Sequence, residues 1–281
     1  MSPRDRRPGY GWGRILAALA LLAIGCVLTL SLGLAFGLSA TGEATRNDGV
    51  TVRTVIQGAG PIALWSLVVL GIGASLFGMK PGDFFAWTSR FRLGFFGQAL
   101  IVALIGLGLY WGVLLAVQGA GFRAITGGVI LTVLVVLLVL PLQATAEELL
   151  FRGFGPQIIQ GKIGSSAATF WVTHVVFAML FASLHGGSGV TAWLMFIIFG
   201  LIFSYVVYAT GGLEGAIALH AVNNVSVFAM GALRDTGAVA KQGDATLGGA
   251  EVGQIVALGA SAVIITLFLA RRHQADAPTD A

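Results

Sequence analysis

Residues 138–152 read LVLPLQATAEELLFR, an apolar run that ends in two adjacent glutamates, Glu147 and Glu148. A bilayer-spanning helix normally excludes such groups, because inserting an Asp, Lys or Arg at a helix centre costs roughly 2.5–3.5 kcal/mol. Ionisable residues inside a membrane are therefore candidates for function by default. This stretch predicts a polar site within a membrane-embedded helix.

The composition of the whole chain is typical of a membrane protein that crosses the bilayer several times. Of its 281 residues, 57% are hydrophobic and only 10% are charged, whereas a soluble domain carries about 25% charged residues. The net charge of +4 comes from arginines in tails and loops, so we expect no nucleic-acid partner. We expect one membrane domain over residues 1–281.

Eight apolar segments are long enough to cross roughly 30 Å of hydrocarbon. They predict an all-α, polytopic membrane helix bundle. No internal repeat is evident, which disfavours a transporter built from duplicated halves. The predicted spans are Ile15–Leu38, Pro61–Met79, Leu93–Val117, Ile125–Leu150, Ser165–Leu184, Thr191–Ala209, Leu213–Met230 and Val252–Ala270.

The basic residues predict an orientation. With the amino terminus inside, eleven of the sixteen lysines and arginines fall on cytoplasmic segments, Arg152 among them. Short cytoplasmic loops of membrane proteins carry such an excess of positive charge. We therefore expect both termini in the cytoplasm.

The two glutamates differ in the partners that their helix offers. Glu148 and Arg152 are four residues apart with the acid first, the favoured order for an ion pair on a helix. Glu147 is rotated by about 100° from Glu148, so it cannot share that arginine equally. The spacing predicts one carboxylate held by Arg152 and one left free for chemistry. The alternative is a helix end at which all three side chains reach interfacial water.

Two further polar pairs lie in later apolar segments. Phe181 and His185 are four residues apart at the end of the fifth span, and His220 and Asn224 have the same spacing in the seventh. Positions four apart share a helix face, so the imidazole and the carboxamide of the second pair point the same way. Taken singly, these residues also suit an interfacial histidine and ordinary interhelical hydrogen bonds.

Two polar neighbours of these pairs have ordinary interpretations. Asn223 is displaced by about 100° from Asn224 around the helix, and we expect it to form hydrogen bonds within the bundle. His174 lies eleven positions before His185, and we expect it to serve packing or a supporting role.

The fourth and fifth spans predict a helical hairpin. In an antiparallel pair, Glu147 and His185 lie at equal height when the turn is centred on residue 166. This arrangement requires the fourth helix to continue past Arg152 towards Gln160, through two glycines and a proline.

The ordered set Glu-Glu-x-x-x-Arg, Phe-x-x-x-His and His-x-x-x-Asn resembles the CPBP family. That family comprises the type II CAAX prenyl proteases together with Abi-like bacteriocin-processing and immunity proteins. The resemblance covers roughly residues 125–230, which we expect to form the catalytic core. It implies an intramembrane endopeptidase, expected in the bacterial inner membrane, that cleaves a membrane-associated protein or peptide.

The resemblance also implies a role for each motif residue. Glu147 would be the general base that activates water, with His185 assisting it. His220 and Asn224 would stabilise the oxyanion of the tetrahedral intermediate. The residues that would organise the site are Glu148 and Arg152.

A metal-dependent version of the protease would use three of the same residues. Glu147, His185 and His220 form a His₂Glu set, one of the common catalytic zinc shells. The His-Glu-x-x-His zinc motif is absent from the sequence. We therefore expect glutamate catalysis without a cofactor, and zinc stays open as the alternative.

Other classes of function stay open as well. A non-proteolytic bacteriocin-immunity protein can keep this fold with a dormant site, and a transporter can use Glu147 as a proton carrier. The partners that we expect are the lipid bilayer and a peptide or membrane-protein substrate. No residue selects between prenylated and other substrates.

Overall fold

The computed structural model describes residues 10–39, 50–85, 90–118, 121–185, 189–234 and 249–269. Within these ranges the chain forms α-helices, a short 3₁₀ segment and two π-helical segments, and no β-strand. The α-helices are α1 (Trp12–Ser39), α2 (Val52–Ala63), α3 (Trp65–Phe77), α4 (Leu93–Gln118), α5 (Gly127–Glu148), α6 (Gly155–Ile163), α7 (Ala167–Leu184), α8 (Val190–Thr210), α9 (Glu214–Leu233) and α10 (Gly249–Ile264).

The described residues contain eight helical segments that are long and apolar enough to cross a membrane. This confirms the predicted all-α bundle and makes the chain an integral membrane protein. Helices α2 and α3 share one segment, and α5 and α6 share another of 37 residues. Helical spans suit this environment because every backbone polar group is satisfied within its own segment.

The second span begins nine residues earlier than predicted, at Val52 instead of Pro61. Thr51 caps the helix, because its side chain accepts a hydrogen bond from the backbone of Thr54 at 3.3 Å. The Thr54 hydroxyl in turn accepts one from the Thr51 backbone at 2.9 Å. This capping box starts α2 upstream, and Pro61 lies inside the helix.

The fourth span extends beyond the predicted end at Leu150, and the predicted continuation towards Gln160 is confirmed. After α5 the chain widens into a π-helical segment, Leu149–Phe154, and then continues as α6 to Ile163. Gly164, with φ of +105°, ends α6 in a conformation that favours glycine. Arg152, which the predicted orientation assigns to a cytoplasmic segment, therefore lies inside the span.

Seven of the sixteen basic residues used to predict the orientation lie outside the described ranges. Both termini also lie outside these ranges, and the orientation stays a prediction. The basic residues in question are Arg4, Arg6, Arg7, Arg46, Lys241, Arg271 and Arg272.

Helix α9 is central to the packing that positions the polar residues. It packs against α5, α4, α8 and α10, while α7 packs against α8. Its first residue, Glu214, is fully buried and pairs with Arg92 at the start of α4, with Nη2 and Oε2 2.7 Å apart. Gly211 ends α8 with φ of +69°, so a very short turn connects α8 to α9.

Candidate active site

Two buried carboxylates end α5. Glu147 is 2% exposed and Glu148 is fully buried. Directly after them the helix widens, and the amide of Gly155 donates to the carbonyl of Leu150, five residues earlier. Such π-helical turns are rare and occur frequently at functional sites.

Glu148 is held by two partners on the same oxygen. Its Oε1 accepts a hydrogen bond from Nη1 of Arg152 at 3.0 Å, so the pair predicted from the spacing is present. The same atom lies 2.7 Å from Nδ1 of His220. An ionised carboxylate can only accept, so Nδ1 of His220 is the donor in this contact, and in the neutral imidazole Nε2 then keeps its lone pair.

The guanidinium of Arg152 is enclosed by aromatic and backbone groups. Its Cζ lies 4.3 Å from the ring centroid of Phe181 and 5.4 Å from that of Phe203. A methyl group on Gly200 would come within 3.0 Å of Nη2 of Arg152. Arg152 is therefore fixed against Glu148 by packing as well as by charge.

Glu147 points away from this ion pair and lines a cavity. Its Oε2 lies 3.4 Å from Nε2 of His220. No hydrogen bond reaches that oxygen from any described residue. Of the two carboxylates, Glu148 therefore takes the hydrogen bond of Arg152, and Glu147 faces the cavity.

The cavity has a volume of about 420 Å³, within the range of about 300–1,000 Å³ that is usual for ligand pockets. Its wall is mostly apolar, with a small set of polar side chains. The polar lining residues are Gln143, Glu147, His185, Asn223, Asn224 and Gln254. The apolar lining residues include Leu30, Ile62, Trp65, Leu140, Phe151, Met195, Phe199, Val227 and Phe228.

His185 follows the last residue of α7 and lines the same cavity as Glu147. Its Nδ1 lies 2.7 Å from the carbonyl oxygen of Phe181. Because a carbonyl only accepts, Nδ1 is the donor, and in the neutral imidazole Nε2 keeps its lone pair. The imidazole lies between the rings of Phe181 and Phe196, at centroid distances of 4.2 and 4.3 Å. The Phe-x-x-x-His spacing thus supplies both a hydrogen-bond acceptor and a ring contact.

His220 and Asn224 lie one helical turn apart on α9, as their spacing predicts. Nδ2 of Asn224 is 3.1 Å from Nε2 of His220. Asn224 lines the cavity, whereas His220 is not among the lining residues. The ring of His220 stacks on Phe203 at 4.8 Å. His220 therefore lies behind Glu147 and Asn224.

Two glutamines in this network were missed by the sequence analysis. Oε1 of Gln143 accepts from Nδ2 of Asn224 at 2.9 Å, and Nε2 of Gln254 donates to Oδ1 of Asn223 at 2.7 Å. Gln143 precedes Glu147 by four positions, so the helical period was an available signal. Gln254 is a polar residue within the apolar sequence of α10. Its partner, Asn223, lies on another helix, so the sequence spacing of the two residues does not predict their contact.

His174 lies apart from the cavity-lining residues. It is buried and stacks on Phe170 at a centroid distance of 3.7 Å. Its Nδ1 is 2.9 Å from the carbonyl oxygen of Phe170. This is the packing role that we expected.

The zinc alternative requires Glu147, His185 and His220 to meet at one point. Among the described residues, no group of three His, Cys, Asp or Glu side chains is placed to hold a metal ion. Glu147 and His220 are neighbours, but His185 does not complete a set with them. In this arrangement the three side chains are not gathered into a His₂Glu shell, and zinc stays an alternative.

Residues 126–226 match the family model described as Type II CAAX prenyl endopeptidase Rce1-like. The match supports, over this segment, the family resemblance that the three motifs indicate, and it includes Glu147, His185, His220 and Asn224. It supports an intramembrane protease of the CAAX type in general, and hence a peptidase. No curated protein and no solved structure matches the chain.

Proposed function

We propose that this protein is an intramembrane endopeptidase in which Glu147 activates the water that attacks a peptide bond. The observation that carries the proposal is the position of Glu147. It is buried within the bundle, lines the cavity and lies beside an imidazole, with 3.4 Å between Oε2 and Nε2 of His220. A carboxylate so placed can take a proton from a water molecule held in the cavity.

The first chemical step forms a tetrahedral intermediate. Glu147 removes a proton from water, and the water oxygen attacks the carbonyl carbon of the scissile bond. His185 assists, because the lone pair on its Nε2 can accept the second hydrogen of the same water. The proton held by Glu147 then passes to the leaving nitrogen as the carbon–nitrogen bond breaks.

Asn224 lines the cavity and supplies the donor for the developing oxyanion, which takes over the Nδ2 hydrogen that Asn224 otherwise donates to Oε1 of Gln143 at 2.9 Å. A preorganised donor in a water-poor site contributes about 3–4 kcal/mol to such a step. His220, which lies behind Asn224, contributes through it by accepting from Nδ2 at 3.1 Å. His220 is thus a positioning residue for the oxyanion donor and a neighbour of the general base.

Glu148 and Arg152 organise the site without touching the reacting atoms. Arg152 keeps Glu148 in place, and Glu148 keeps the proton of His220 on Nδ1. This leaves Nε2 of His220 facing Glu147 and Asn224.

The substrate is a peptide or a segment of a membrane protein that reaches the cavity from the bilayer. The wall of the cavity is mostly apolar, which suits a membrane-associated chain. The location proposed for the enzyme is the bacterial inner membrane, with both termini in the cytoplasm.

The test compares peptides released by the wild-type chain and by Glu147→Gln in detergent. We expect the substitution to lower turnover by roughly 100-fold or more, since general-base catalysis contributes about 10²–10⁴-fold. Glu251→Gln, the same chemical change on α10 at a residue that does not line the cavity, is the control and should cleave like wild type. Retained turnover in Glu147→Gln would rule out the assigned base.

A further inference from the structure

We infer that Gly58, on α2, sets the size of the substrate side chain that the cavity accepts, by leaving room for a large apolar residue such as leucine or phenylalanine. The inference rests on the proposed function, in which Glu147 activates water in this cavity. Gly58 lies outside residues 126–226, the segment that matches the family model. Chemistry and substrate selectivity are thus encoded in different parts of the chain.

One face of the second span forms a wall of the cavity. Gly58, Ile62 and Trp65 all line the cavity. Their spacing of four and then three residues places them on the same face of the helical segment Val52–Phe77. A side chain at position 58 therefore points the same way as those of Ile62 and Trp65. The side chains along this wall decrease in size from Trp65 to Gly58, so the wall leaves most room at Gly58.

Nothing in the packing or the backbone requires glycine at this position. A methyl group on Gly58 would meet nothing within 4 Å among the described residues, its own helix backbone aside. Gly58 is not among the glycines with positive φ. Gly33 on α1 differs, because a methyl group there would collide with the ring of Pro61. The space beside Gly58 is therefore available to a bound group.

The space beside Gly58 lies about two helical turns from the general base. Ala59, the next residue, belongs to the same buried cluster as Leu140. Leu140 precedes Glu147 by seven residues on α5, which is about 10 Å along a helix that rises 1.5 Å per residue. An extended peptide rises about 3.3 Å per residue. The side chain received here thus belongs to a residue about three positions from the scissile bond.

The residues at this end of the cavity suit an apolar side chain. Leu140 and Phe228 also line the cavity, and Phe228 packs against the cluster that contains Ala59 and Leu140. None of these residues carries a polar side chain that could bind a charged or hydrogen-bonding group. In an apolar pocket, one methylene group changes kcat/KM by roughly 10–200-fold. A residue that fills the space is therefore preferred over alanine.

A glycine that only faced lipid predicts a different outcome. Its replacement by leucine would leave the cleavage of large and small substrates equally unaffected. Gly71, on the same span, is the matched control, because a methyl group there also meets nothing within 4 Å and the residue does not line the cavity. Leucine is a better helix former than glycine, so both Gly58→Leu and Gly71→Leu are expected to fold.

The experiment uses the full-length protein in detergent with a library of apolar peptides. In each peptide one position is alanine, leucine or phenylalanine, and mass spectrometry identifies the cleaved bond. We expect the wild-type chain to cleave the leucine and phenylalanine peptides with a kcat/KM at least about tenfold higher than the alanine peptide, at one position about three residues from that bond.

The variants should change this preference and leave the chemistry intact. We expect Gly58→Leu to lower kcat/KM for the leucine and phenylalanine peptides by about tenfold or more, with the alanine peptide unchanged. Gly58→Ala should give an intermediate preference, and Gly71→Leu should match the wild-type chain. An equal loss for all three peptides in Gly58→Leu, or no change, would overturn the inference. The same change of preference in Gly71→Leu would overturn it as well.

Binding measurements separate this inference from the proposed function. Fluorescent forms of the same peptides are bound to Glu147→Gln, with and without Gly58→Leu. If the wild-type chain cleaves no peptide but binding depends on side-chain size and on Gly58, the assigned chemistry is overturned and the size limit at Gly58 is supported. If neither cleavage nor size-dependent binding is observed, both are overturned.

Discussion

Nδ1 of His220 lies 2.7 Å from Oε1 of Glu148, although 72 residues separate them in the sequence. Both side chains are buried, and Arg152 donates to the same oxygen. The contact joins two of the three sequence motifs directly. It places one carboxylate in an ion pair and determines the proton position on the imidazole that faces the other carboxylate.

The first prediction concerns the ion pair of Glu148 and Arg152. Glu148→Gln removes the charged partner that the buried guanidinium hydrogen-bonds, and we expect the free energy of unfolding to fall by about 3–5 kcal/mol. Cleavage should be lost as well, because His220 loses its charged acceptor. Unfolding of the purified protein in mixed micelles and peptide release are the measurements.

The matching variant for this pair is Arg152→Met, alone and combined with Glu148→Gln. Replacing both charges removes the uncompensated ion, so the double variant should be more stable than the sum of the single losses implies. Strictly additive losses would show that the two charges do not stabilise each other.

The second prediction concerns the close approach of α8 to Arg152. A methyl group on Gly200 would come within 2.8 Å of Cβ of Ala178 and 3.0 Å of Nη2 of Arg152. We expect Gly200→Ala to cost about 1–3 kcal/mol of unfolding free energy, as overpacking does, and to reduce cleavage by displacing the guanidinium. Gly108→Ala on α4, where nothing lies within 4 Å, should change neither. Wild-type activity in Gly200→Ala would contradict the fixed position of Arg152.

The third prediction concerns the contact between Arg92 and Glu214, which joins the starts of α4 and α9. Arg92 donates to both carboxylate oxygens, at 2.9 and 2.7 Å, and to the carbonyl of Thr210 at 2.9 Å. Lysine cannot reproduce this fork. We expect Arg92→Lys to lower the unfolding free energy by about 1–3 kcal/mol, with KM unchanged because the pair lies outside the cavity. A raised KM at unchanged stability would show that this contact serves substrate binding instead.

The fourth prediction concerns metal dependence. The described residues provide no cluster of three side chains placed to hold a metal ion. We expect cleavage to survive treatment with a strong chelator, and added zinc to give no increase in rate. Loss of activity on chelation, restored by zinc, would show that the His₂Glu alternative assembles during the reaction.

The spans and the Glu148–Arg152 pair were predictable from sequence because both depend on local chemistry. Hydrophobic length identifies a helix that can cross the bilayer, and a spacing of four places two side chains on one face. The boundaries were less accurate. The start of α2 depends on the Thr51–Thr54 capping box. The fourth span is longer than predicted because a π-helical segment that contains Gly153 joins α5 to α6 without ending the helix.

The sequence by itself determined that this chain is a bundle of apolar helices carrying carboxylate, imidazole and carboxamide groups at helical spacing. The tertiary structure alone decided that His220 lies behind Glu147, that Asn224 faces the cavity, and that Gln254 joins the network from α10. The physical reason is the range of the interactions. The helical period fixes which residues of one helix share a face, whereas contacts between helices depend on the packing of the whole bundle.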